Sequence, residues 1–154
     1  MLNVPALEAF IVHAKAATYV GNGEHTTSCR PGSHDLRCAD GEWTYLDSYF
    51  GGTDFIGEEV VYFAGKPVWA MNYYGRILRT DLLTAAQAGQ MIKASLSRMY
   101  REDRFLGGFE HTENDLTYVD TSEGKADSFH GREFIRRGQE VAYELVYHGG
   151  LIKD

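Results

Sequence analysis

The chain has 154 residues, 44% apolar and 24% charged, with a formal net charge of −7. That length and balance describe one globular domain, spanning 1–154, with enough apolar material for a core of its own. The negative charge excludes general binding to nucleic acid or to an anionic membrane surface, both of which need a basic face. The short cluster Arg132, Arg136 and Arg137, flanked by Glu133 and Glu140, reads as a solvated strand and turn.

Aromatics are the outlier, with ten Tyr, eight Phe and two Trp. Tyrosine in such number favours strands and amphipathic pocket walls. Seventeen Gly against three Pro indicate many tight turns. The longest apolar stretch near the start, "FIVHAKAATYV", is interrupted by His13 and Lys15, and Glu8 stands where a signal peptide would need apolar residues. A cytoplasmic location is therefore expected, with Cys29 and Cys38 as reduced thiols.

In chain order, Pro5 sits at a helix-start position, and Leu7, Phe10, Ile11 and Ala14 follow at helical spacing, which predicts a helix over 5–18. "NGEHTTSCRPGSHD" reads as a polar loop. "DLRCADGEWTYLDSYF" reads as two strands joined at Asp40-Gly41, and "EEVVYFAGKPVWAMNYYG" as two more joined at Gly65-Lys66. The period then changes. Leu82, Leu83, Ala86, Met91, Ile92, Leu96 and Met99 predict an amphipathic helix over 82–102, with Gly89 weakening its middle. Three or four more strands close the chain, turning near Glu123-Gly124 and Arg137-Gly138. No internal repeat is expected beyond this succession of hairpins. The order predicts an α+β fold: a curved, mainly antiparallel sheet of six to eight strands, built from hairpins and packed against two helices.

A turn at Gly65-Lys66 sets a register that places Glu59 opposite Asn72 and Glu58 opposite Tyr73. Both faces of this hairpin are apolar in the middle and polar far from the turn, where Asp47 and Tyr49 arrive from the neighbouring strand. Convergent polar groups at the mouth of an apolar pocket form a ligand-site pattern. A cross-strand hydrogen-bonded pair in an ordinary core is the competing reading.

Other chemistry has thinner support. His25, Cys29, His34 and Cys38 offer a zinc-type ligand set, but their spacing matches no familiar finger, and a polar loop followed by a strand cysteine explains them as well. Asp47 and Glu59 could form an acid/base pair with a histidine, His130 or His148, in a hydrolase-like site. A haem is compatible with the aromatic content, but no attachment motif is present, so no cofactor is assigned. Arg30 and Arg76 are candidates for holding an anionic group or for ordinary salt bridges.

The segments "YLDSYFGG", "GEEVVYFAGKPVWAMNYYGR" and "YHGGLI", with "TYVGNG" and "SCRPGSHDL", resemble an uncharacterised family of bacterial domains. Members of that family stand alone or follow a helix-turn-helix DNA-binding module of the Xre type. The resemblance carries no established activity and transfers no catalytic residue. It implies effector sensing. Because the chain opens directly on the domain's first helix, sensing would act through a separate regulatory partner.

The favoured expectation is a small-molecule-binding, sensor-like domain. Its ligand contacts would come from Asp47, Glu59, Trp69, Asn72, Tyr73 and Arg76, with Tyr45, Tyr118 and Tyr143 in the pocket wall. A hydrolase and a homodimeric protein-interaction module are the alternatives.

Overall fold

The computed structural model describes residues 1–21 and 23–154. Helix α1 (Val4–Lys15) starts where predicted: the Asn3 side chain accepts a hydrogen bond from the Ala6 N–H, and Pro5 lies in the first turn. It runs on into a wide π-helical turn, Ala16–Val20, where the Thr18 hydroxyl donates to the Ala14 carbonyl at 2.7 Å. Five strands follow: β1 (Glu24–Thr26), β2 (His34–Asp40), β3 (Trp43–Gly51), β4 (Phe55–Phe63) and β5 (Lys66–Ile77). Helix α2 (Ala85–Tyr100) is opened by a reciprocal capping box between Thr84 and Gln87. The chain ends in β6 (Phe109–Glu113), β7 (Leu116–Lys125), β8 (Ser128–Arg137) and β9 (Glu140–Leu151).

The nine strands among the described residues join one antiparallel sheet in the order β1-β2-β3-β4-β5-β9-β8-β7-β6. The α+β class, the hairpins and the two helices agree with expectation; the strand count is nine rather than six to eight. The short β1 falls inside the stretch read as a loop. Its three exposed residues pair with β2 through backbone alone, so no apolar pattern marks them.

The β4–β5 register differs from the predicted one. The turn is Ala64-Gly65, both at positive φ, and a bulge at Val61/Tyr62 shifts the pairing. Glu59 therefore faces Met71, and Glu58 faces Asn72. The inner, helix-covered face carries Glu59 and Val61 with Trp69, Met71 and Tyr73, while Glu58 and Asn72 are exposed on the outer face. The aromatic core sits between this inner face and the helices. It includes Trp69, Tyr45, Tyr118 and Tyr143, each almost fully buried.

The sheet is an internal repeat, contrary to the sequence reading. Strands β2–β5 and β6–β9 are two four-stranded meanders, each with a helix earlier in the chain, that meet along β5–β9. Asp47 on β3 pairs with Glu59 on β4, and Asp120 on β7 pairs with Glu133 on β8. Tyr73 and Tyr147 are direct partners across the seam. The bulge at Val61/Tyr62 is matched by one at Ile135/Arg136. The positive-φ residues correspond too: Gly41 to Asn114, Gly51 to Gly124 and Ala64 to Gly138. The two halves are thus related by an approximate two-fold axis through the Tyr73–Tyr147 pair.

Candidate functional site

Between the inner face of the sheet and the helices lies a cavity of about 530 Å³. Strands bring one carboxylate each to it: Asp47 from β3, Glu59 from β4, Asp120 from β7 and Glu133 from β8. Each occupies an inward position of its strand, and they are only 3%, 7%, 4% and 6% exposed respectively. Met71, Ile77, Ala88, Ile92, Leu96 and Phe105 contribute apolar wall. His25, Gly52, Thr53, Ala85 and Lys93 line it where it reaches solvent.

Placing like-signed groups directly opposite each other on paired strands is unfavourable, and burial makes it more so. The fold answers with donors. The Tyr73 hydroxyl donates to Asp47 Oδ1 at 2.6 Å, and the Tyr147 hydroxyl to Asp120 Oδ1 at 2.8 Å. Each tyrosine reaches its acid by lying across a glycine on the intervening strand. A Cβ at Gly57 would stand 2.4 Å from the Tyr73 hydroxyl oxygen, and one at Gly131 2.3 Å from that of Tyr147.

The two halves differ at their glutamates. Glu133 accepts from the Tyr118 hydroxyl on Oε2 and from the Tyr143 hydroxyl on Oε1 at 2.9 Å. Its counterpart Glu59 instead accepts from the buried Lys15 ammonium on Oε2 at 2.6 Å. Trp69 holds the position equivalent to Tyr143 and sends its Nε1–H to the Ala126 carbonyl. Tyr45, equivalent to Tyr118, is left with the one wholly buried side-chain polar atom lacking a partner among the described residues.

Burial dominates the electrostatics. It pushes the Asp47 carboxyl up to about 7, with the Glu59 charge adding to the effect and the Tyr73 hydrogen bond opposing it. Burial also raises Glu133 to about 7 and Asp120 to about 6, against the tyrosine hydrogen bonds and the Lys15 charge. Tyr73, Tyr100, Tyr118 and Tyr143 are held far above the usual phenol range, first by burial and then by these carboxylates, so they remain protonated donors. The cavity floor can therefore hold or release protons near neutral pH and can pair with a cation.

Of the six ligand-contact residues expected from sequence, Asp47, Glu59 and Tyr73 line the cavity. Trp69 does not: it is fully buried, stacked on Phe129 and edge-on to Phe105. Asn72 and Arg76 are exposed on the outer face, where Arg76 Nη2 lies 3.3 Å from Glu144 Oε1. Of the three wall tyrosines, Tyr143 lines the cavity, and Tyr45 and Tyr118 lie in the core behind it. Arg30 stands over the Phe50 ring, with Nη2 3.3 Å from Ser48 Oγ.

His130 and His148 face each other across β8–β9 on the outer side, away from the acids, so neither completes an acid–histidine site with Asp47 and Glu59. Among the described residues, no three His, Cys, Asp or Glu side chains gather as a metal site. Within the His25, Cys29, His34 and Cys38 set, the Cys29 thiol lies against Ser48 and the His34 ring against Tyr49. Lys15, Asp120 and Glu133 were missed from sequence. The signal of the two acids is a carboxylate at an inward strand position among apolar neighbours, as in Tyr118-x-Asp120 and Gly131-x-Glu133-x-Ile135; that of Lys15 is a lysine interrupting the apolar run of the first helix.

These features define an α+β domain whose helix-covered antiparallel sheet carries a tyrosine-clamped acidic cavity. A family model described as a domain of unknown function, DUF5680, matches residues 47–152, and the chain belongs to that family. All four cavity carboxylates fall within the matched segment. No curated protein and no solved structure matches the chain. No helix among the described residues is long and apolar enough to cross a membrane.

Proposed function

We propose that the chain binds a small organic molecule in the cavity between the sheet and the helices, as a sensor-like or carrier domain. The observation that supports this reading is the cavity itself. It has about 530 Å³ of space in a core otherwise filled by large aromatics, which is within the usual range for sites that enclose small ligands. Its wall is mostly apolar, and its polar groups converge on one floor. A core under selection for stability alone would fill such a space and would not assemble four carboxylates around it. Effector sensing, implied by the resemblance to domains that follow DNA-binding modules, is compatible with this reading.

Native mass spectrometry tests it. Protein purified gently from cells should carry a stoichiometric small-molecule mass that is lost on denaturation. Gly89 of α2 lines the cavity, and a Cβ there meets no atom within 4 Å. Gly89→Trp should therefore fill the space and abolish the adduct while the protein stays folded by circular dichroism. Equal adducts on both proteins would sink the reading. So would a bare wild-type mass together with no melting shift across a chemically varied fragment library.

A further inference from the structure

The charge pattern of the cavity points to the chemistry of its occupant. Four carboxylates face the cavity, and the one buried cation among its lining residues is Lys15; Lys93 is exposed. The nearby Arg104 guanidinium is already engaged by Glu102 and by the Leu106 and Gly108 carbonyls. Lys15 shows what the floor accepts. Its ammonium sits among these acids and reaches Glu59 at 2.6 Å. Asp47 and Asp120 are each hydrogen-bonded by a tyrosine through Oδ1; Asp120 is also held by the Thr121 backbone N–H, whereas no side chain among the described residues donates to Asp47 Oδ2.

An independent feature also calls for a ligand. Tyr100, from the last turn of α2, lines the cavity and is 7% exposed, and its hydroxyl has no hydrogen-bond partner among the described residues. It is not sealed in the core as the Tyr45 hydroxyl is, so it offers the cavity a free hydrogen-bonding group. Above the floor, Met71, Ile92, Leu96 and Phe105 offer apolar surface.

We infer that the occupant is an amphipathic organic amine: its ammonium group is seated on the Asp47 carboxylate, and its apolar body lies against α2 and Phe105. The inference rests on the reading of the cavity as a ligand site and adds the charge of the ligand. An ammonium supplies the donor that Asp47 Oδ2 lacks. It also compensates a floor whose acids outnumber its buried lysine. A neutral alcohol of the same shape supplies one donor and no charge, and a carboxylate adds a like charge to a buried acidic site.

The test uses matched sets differing only in the head group: 2-phenylethylamine, 2-phenylethanol and 3-phenylpropionate, with hexylamine, hexanol and hexanoate as the aliphatic set. Affinities are read by ligand-observed NMR titration of the full chain at neutral pH. The amines should bind at least about tenfold more tightly than their alcohols, and the carboxylates should not bind. Asp47→Asn keeps an oxygen that accepts from Tyr73. It should weaken amine binding about tenfold and remove most of the preference for amine over alcohol. Alcohols or carboxylates binding as tightly as the amines would overturn the amine assignment and leave the cavity a ligand site. If no compound of any class binds wild type better than Gly89→Trp, the cavity reading fails, and the amine assignment fails with it.

Discussion

Gly57 and Gly131 lack side chains where tyrosine rings cross the strand. Tyr73 passes over Gly57 to reach Asp47, and Tyr147 passes over Gly131 to reach Asp120. A methyl group at Gly57 would displace the Tyr73 hydroxyl, and with it the one side-chain donor that Asp47 has among the described residues. Gly57→Ala should therefore cost about 1–3 kcal/mol in urea unfolding, the usual range for overpacking a close contact. It should also raise the Asp47 carboxyl further, because the opposing hydrogen bond is lost. Gly131→Ala should behave alike. An unchanged unfolding midpoint in both variants would mean that the rings do not hold these positions. At this scale the sequence was legible only in part. Alternation marks Asp47, Glu59 and Tyr73 as neighbours, but nothing local tells a reader that Asp120 and Glu133 close the same cavity from sixty or more residues away. Trp69 shows the opposite limit. Its type suits a pocket wall as well as a core, and only the stacking on Phe129 decides.

At the scale of elements, the helices and hairpins could be read because their signals are local: Pro5 near a helix start, the helical spacing of Met91, Ile92, Leu96 and Met99, and a glycine at the first hairpin turn, which falls one residue later than read, at Gly41-Glu42. The register of β4–β5 could not, because a single bulge moves every later pair by one, and either Ala64-Gly65 or Gly65-Lys66 can close the turn on sequence grounds. The repeat was hidden for a related reason. Thr44-Tyr45-Leu46-Asp47-Ser48 and Thr117-Tyr118-Val119-Asp120-Thr121 are plainly alike, as are Gly57-Glu58-Glu59 and Gly131-Arg132-Glu133. The spacing between these motifs differs by one residue, however, and the outer faces have diverged. Helix α2 carries the element-scale prediction. Gly89 is an interior helical glycine with open space around its Cβ direction, so propensity alone disfavours it. Gly89→Ala should stabilise the chain by about 1 kcal/mol, measured as a shift of the urea midpoint at constant slope. If Gly89→Ala instead destabilises, the space beside this helix is not open and the cavity is smaller than described.

The whole molecule should respond to pH in an unusual direction. Most folded proteins hold carboxylates that are better stabilised as anions than they are when unfolded, so stability falls in acid. Here three buried acids are shifted the other way: Asp47 and Asp120 rise from an ordinary 3.8 to about 7 and about 6, and Glu133 from 4.5 to about 7. A carboxyl whose folded pKa is raised binds more protons folded than unfolded. Its contribution is fully present below the unfolded value and is lost as pH rises through the folded one. The window set by these three groups runs from about pH 4 to 7. Asp35, Asp81 and Glu113 act in the opposite sense: at Asp35 burial is outweighed by hydrogen bonds from Cys29, Ser33 and Ser48, and at Asp81 and Glu113 hydrogen bonds from Arg79 and His111 lead, so each is lowered in the folded state and its contribution is lost only as pH falls through the depressed value. Together the two sets place the stability maximum near pH 5, on the acid side of neutrality, with a decline toward pH 8. Urea unfolding at pH 5, 6, 7 and 8 should show that decline. The double variant Asp47→Asn, Glu133→Gln, which keeps acceptors for Tyr73 and Tyr143 without the charge, should flatten it and be the more stable protein at pH 8. A saturating amine should oppose the same decline, because its charge favours the ionised acids and ties proton loss to occupancy of the cavity. A wild-type profile that is flat or rises from pH 5 to 8 would show that these carboxyls are already ionised in the empty domain. The Lys15 ammonium and the tyrosine donors would then suffice to hold four buried charges together.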